Sequence, residues 1–205
     1  MRWKRAARQQ HDYSNTIELA EAATAQTWLA SREIWLIGEV NDNLFSTVGA
    51  GLLHLAQDDP QQPIKLYVSS DGGDYHTGIA LADLIRGLPV PVHTVGLSTV
   101  YSAATYPFLA GTHRSCYPHT SFYFHSISVK GEITMGQAAQ VFTHWREALQ
   151  SQARLLADTT LVTEEEWLGW FLSDNEKYLS STEALKLGVV DQILPVRGMK
   201  RPITI

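Results

Sequence analysis

Apolar residues fall in short runs divided by polar turns, and the runs alternate between the strand and helix periods. Residues 33–38 (EIWLIG) form a compact apolar run closed by Gly38, the pattern of a buried strand. Asn41 and Asp42 then offer a helix N-cap, and residues 44–57 place apolar side chains at helical spacing. A turn over 58–63 leads into a second strand at 64–68. Ser69, Ser70, Asp71, Gly72 and Gly73 follow directly, and a helix is predicted over 78–88. A third strand is predicted at 92–95, a small-residue turn at Tyr101, Ser102, Ala103 and Ala104, and a further strand at 121–124 that delivers His125. Residues 134–158 carry the longest helical pattern, with Val141, Trp145, Leu149, Leu155 and Leu156 on or near one stripe. Thr163 with three following glutamates starts another helix, residues 179–184 cap a last one ended by Gly188, and 189–194 read as a final strand. Upstream, residues 1–15 are polar and poorly patterned, and 16–30 are helix-prone with a loose apolar face.

Strands alternating with helices predict an α/β protein built on a parallel sheet. Ligands of such sheets bind beyond the carboxyl ends of the strands, where Gly73 and Ser102 both fall. A glycine pair at a strand end allows a sharp turn that exposes N–H groups. A hydroxyl at a strand-to-helix junction and an imidazole at the end of a strand are the two parts a nucleophilic hydrolase needs, because serine is a poor nucleophile until a base takes its proton. Each has a plainer reading: Ser102 as a helix-packing residue, His125 as a satisfied core or surface histidine, Gly72-Gly73 as a turn only. Ser98 is a rival nucleophile, but its Gly-x-Ser-x-Gly motif is incomplete because residue 100 is valine.

The chain has 205 residues, 44% of them hydrophobic, enough for one core-bearing domain. The net charge is −5, and only the first eight residues hold a basic block, which argues against nucleic acid as the partner. That block lacks the apolar region of a secretory signal, and no stretch approaches the about 18 apolar residues that span a bilayer, so a cytoplasmic chain is expected. Cys116 is the single cysteine, which excludes an internal disulfide and a cysteine-based metal cluster. His113, His119 and His144 have no ligand-like companions, so no metal site is expected. Trp145, Trp167, Trp170 and Phe171 read as core or subunit interface.

Several segments, in order and spacing, now match one family. They are Glu39-Val40-Asn41-Asp42, Ser70-Asp71-Gly72-Gly73 ahead of Gly78, Ser102-Ala103 ahead of Leu109-Ala110-Gly111, Arg114 with Pro118 ahead of His125, Gly136-Gln137-Ala138, and Leu179-Ser180 with Gly188-Val189-Val190-Asp191. From about Glu33 to about Leu194 the chain resembles the proteolytic subunit of the Clp protease (ClpP), a serine peptidase. The resemblance implies a crotonase-like α/β fold of repeated ββα units with a protruding handle helix at about 134–158. It divides the chain into an N-terminal tail and helix (1–30), a peptidase domain (31–195) and a C-terminal tail (196–205). It implies a Ser-His-acid endopeptidase acting on peptides and unfolded proteins, without metal or organic cofactor. Ser102 lands on the nucleophile, His125 on the general base, and Gly73 and Ala103 on the oxyanion-hole amides. Glu176 stands where the family has the triad aspartate, with Asp174 as the fallback acid.

Partners implied are further copies in heptameric rings, two of them stacked through the handles, a Clp/Hsp100 ATPase unfoldase or a paralogous ClpP subunit, and peptide substrates. This chain has no Walker-type phosphate loop of its own. The chain also departs from the family. Asp71 replaces the usual proline, Ser98 to Tyr101 replace a Gly-Gln-Ala-Ala run, and Asp74 and Tyr75 enlarge the oxyanion turn. These changes are expected to alter substrate preference and lower activity, with the Tyr101 ring beside the nucleophile. The N-terminal stretch also lacks the family's usual arginine- and tyrosine-containing lead-in to the first strand, and with it the expected basis for axial-loop contacts to the ATPase. The rival readings are a non-catalytic ring subunit and an acyl-CoA enzyme on the same fold.

Overall fold

The computed structural model describes residues 30–128, 134–173 and 176–198. The helix expected at 16–30 lies almost wholly outside the described residues, as do the fallback acid Asp174 and the tail beyond residue 198.

Among the described residues one seven-stranded sheet forms, in which the predicted strands β1 (Glu33–Ile37), β2 (Ile64–Ser70), β3 (Val92–Tyr101), β5 (Ser121–Phe124) and β7 (Gln192–Ile193) are joined by two unexpected ones, β4 (His113–Cys116) and β6 (Lys177–Ser180). The order is β1-β2-β3-β4-β7, with β5 also on β3 and β6 on β5. Every pairing is parallel except β5 with β6. The sheet is parallel as the alternation predicts, and the unexpected strand β6 adds one antiparallel pairing at its edge. The long helix α4 (Met135–Thr159) and then α5 (Glu164–Leu172) bring the chain back to β5 from the other end.

Parallel neighbours need crossovers, supplied here by α1 (Asp42–Asp58) and α2 (Tyr75–Gly87). Asn41 caps α1 as expected, its side chain accepting from Leu44 N–H. Helix α2 starts at Tyr75, ahead of the predicted residue 78, because the Asp74 carboxylate caps it by accepting from Thr77 N–H at 2.7 Å. Leu36, Leu52, Leu66, Leu81 and Phe108 are fully buried between the helices and the sheet. Trp167 of α5 is fully buried too, with its indole N–H donating to Thr160 Oγ1 at 3.2 Å.

Strand β3 is longer than the predicted 92–95. Gly96, Leu97 and Ser98 continue it through an irregularity inside the strand. Ser98 has φ +51°, and the register against β2 shifts between Val68 and Ser70. Below the shift β3 pairs with β4 (His93 opposite His113). Above it β3 pairs with β5 (Tyr101 opposite Tyr123). The final strand is shorter than the predicted 189–194. Val189 and Val190 are buried, but their amides bond the Ala184 carbonyl at the end of α6 (Ser181–Lys186), so their apolarity reports core packing rather than pairing.

In α4 the side chains from residue 136 to 151 are exposed or half-buried, Phe142 being 74% exposed, and full burial begins only at Gln152 and Ala153. That stretch supplies the handle, and Gln152, Ala153 and Leu156 seat the rest against the sheet.

Cys116 ends β4 fully buried, and burial pushes its thiol up to about 12. Thiolate is the reactive form, so the native protein is expected to resist a disulfide-exchange thiol reagent at pH 8 and to release one equivalent per chain in denaturant. Fast native reaction would contradict the burial.

Candidate active site

Three strand ends meet at one cleft. Beyond β2, Ser70 Oγ accepts from Gly72 N–H at 3.0 Å and tightens the turn. Gly72 and Gly73 have φ of +98° and +151°, conformations that side-chain-bearing residues rarely adopt. Val40 N–H donates to the Gly72 carbonyl and Asp74 N–H to the Val40 carbonyl, both at 2.8 Å, so the turn is stitched to the segment after β1. These bonds use groups on either side of the Gly73 amide and leave that N–H out.

Beyond β3, Ser102 has φ +51° and opens a 3-10 turn (Ser102–Ala104) that runs into α3 (Thr105–Leu109). A non-glycine residue held at positive φ marks a strained elbow that aims its side chain out of the sheet end. The surroundings fix it. The Ser102 carbonyl accepts from the Thr105 hydroxyl at 2.7 Å, and a Cβ on Gly72 would sit 2.6 Å from Ser102 Cβ. A Cβ on Gly78 of α2 would sit 2.6 Å from the Ala103 carbonyl, so helix, elbow and glycine turn are in direct contact. Ala103 lies in the first turn of the 3-10 helix, where amides lack an intrahelical acceptor.

Beyond β5, His125 places Nε2 2.6 Å from Ser102 Oγ. Its backbone carbonyl accepts from the side chain of buried Gln152 on α4 at 3.4 Å, and its ring stacks on Tyr123 at 5.0 Å and 19°. Continued by one step, the β5–β6 register sets Glu176 opposite His125. Glu176 is exposed, and the Tyr123 hydroxyl hydrogen-bonds it. Burial first, and then this carboxylate, raise the Tyr123 phenol above its ordinary value.

The structure therefore brings Ser102, His125, Gly73 and Ala103 to one cleft of about 400 Å³, with Asp74, Tyr75, His76, Tyr106 and Trp145 on its walls. Glu176 comes to the edge of the same sheet end without lining the cleft. Ser98 is exposed at the β3 irregularity and takes no part. Tyr101, expected beside the nucleophile, instead packs edge-on against Tyr123 (5.7 Å) and Tyr178 (6.0 Å) and does not line the cleft. Sequence reasoning missed the stack of Tyr178, Tyr123 and His125. Its signal was the strand period of two, which puts Tyr123 on the face of His125. It also missed Gln152, one buried amide on a long amphipathic helix.

A hydroxyl bonded to an imidazole, in a cleft lined by Gly73 and Ala103, has the parts acyl transfer needs. A family model described as Clp protease matches residues 18–197 of this chain.

Proposed function

The chain belongs to the Clp protease family, which makes it a ClpP-like serine peptidase subunit with the crotonase-like fold, and on that premise we propose that Ser102 and His125 cleave peptides and unfolded chains at the cleft described above. The observation that carries this reading is the 2.6 Å contact between Ser102 Oγ and His125 Nε2. His125 Nε2 takes the hydroxyl proton as Oγ bonds to the substrate carbonyl carbon. The amides of Gly73 and Ala103 stabilise the oxyanion, His125 then protonates the leaving amine, and water releases the acyl group by the same steps. Glu176, opposite His125, is the acid that orients the imidazole. The reaction uses no metal or organic cofactor.

The family forms ring assemblies. We propose two stacked heptameric rings joined through the exposed half of α4, working in the cytoplasm with a Clp/Hsp100 ATPase or a paralogous ClpP subunit. The apolar hollow of about 440 Å³ lined by Phe142, Trp145, Leu149 and Leu172 supports a covered handle.

A fluorophosphonate is expected to label the wild-type assembly at Ser102, identified by peptide mapping, and to leave Ser102→Ala unlabelled. If the wild type never labels, with or without a paralogous subunit, the chain is a structural ring member instead.

A further inference from the structure

We propose that the cleft selects peptides with a lysine or arginine side chain beside the scissile bond, and that Asp74 reads the charge. This rests on the peptidase reading above. Asp74 follows the Gly72-Gly73 turn directly and shares the cleft with Ser102 and His125. One of its oxygens is committed to capping α2, accepting from Thr77 N–H at 2.7 Å and the Thr77 hydroxyl at 2.8 Å. A carboxylate offers about four acceptor sites, and the bonds from Thr77 and from the His76 backbone leave part of that capacity for a ligand. Those same Thr77 bonds, the backbone one first, hold the carboxyl below the usual aspartate range, so it is anionic at neutral pH.

The remaining walls suit the rest of a basic side chain. Tyr75 meets Tyr106 edge-on at 5.6 Å and Trp145 at 6.4 Å, and His76 lies 6.0 Å from Trp145. Ring faces pack the methylene stem of lysine and attract its cationic end. Among the described residues lining the cleft there is no lysine or arginine to compete for Asp74. A glutamate side chain would meet the like charge of Asp74, and a leucine would leave the carboxylate unanswered.

The test uses three internally quenched peptides that differ at one central position, lysine, leucine or glutamate, in a serine- and glycine-rich background. Asp74→Asn is the informative variant, because asparagine caps a helix as well as aspartate and removes only the charge. The expected result is kcat/KM about tenfold higher for the lysine peptide than for leucine, the order of one solvent-exposed charge-assisted contact, with cleavage mapped next to the lysine. In Asp74→Asn the lysine-to-leucine ratio falls toward one. A wild-type preference for leucine, or a lysine preference untouched by Asp74→Asn, overturns the inference while leaving the peptidase reading intact. Fluorescence anisotropy with Ser102→Ala separates the two questions. Tighter binding of the lysine peptide than of leucine supports the inference, and equal binding overturns it, whether or not Ser102 reacts in the wild type.

Discussion

Peptide hydrolysis by Ser102→Ala is expected to fall by at least about 10,000-fold in kcat/KM, because the variant loses the atom that forms the acyl bond. The double variant Ser102→Ala/His125→Ala should be no worse than the single one, since base and nucleophile act as a unit across their 2.6 Å contact. Additive losses would mean that His125 serves some other purpose. Both alanine variants should keep the fold. His125 follows the end of β5, and the elbow is held by Thr105 and by the glycine turn rather than by the Ser102 hydroxyl. A fluorogenic peptide assay with melting curves on the same samples decides the matter.

Gly73→Ala carries the next largest effect. The added methyl would stand 2.3 Å from the Val40 carbonyl oxygen and 2.8 Å from the Val40 nitrogen, both backbone atoms, at a φ of +151°. Neither obstacle can be relieved by turning a side chain, so the turn must move, and the Gly73 amide moves with it. Loss of one oxyanion donor costs about 100- to 1,000-fold in kcat. The variant is expected to show that loss with little change in KM, together with a lowered melting temperature from the broken Val40 bridge. Gly87→Ala is the control, because a methyl there meets nothing within 4 Å. Equal activity of Gly73→Ala and wild type would remove Gly73 from the proposed mechanism.

Much of this architecture can be read from residue order, and the reasons are local. Asn41 before an amphipathic run gives α1, and Thr163 ahead of glutamates gives α5, because caps and periodicity are short-range signals. The meeting of Gly73, Ser102 and His125 is not local, and it was legible only through the resemblance to the Clp protease family. The misreadings share one cause, tertiary pairing that outweighs local pattern. The third strand was expected to end at Val95, yet pairing with two different neighbours carries it through Gly96, Leu97 and Ser98. Val189 and Val190 have strand composition but are held by a helix end. Asp74 read as added bulk at the oxyanion turn, while in the fold it is a helix cap whose carboxylate also lines the cleft.

The irregularity at Ser98 gives the two ends of β3 separate reference frames. Residues before it are counted against β4, and residues after it against β5, the strand that carries His125. The alignment of hydroxyl and imidazole is therefore set within the short upper ladder where Tyr101 faces Tyr123. A drift of the lower ladder can be absorbed at the kink before it reaches the elbow. Evolution can thus retune the lower sheet, and whatever docks on it, without resetting the timing between nucleophile and base.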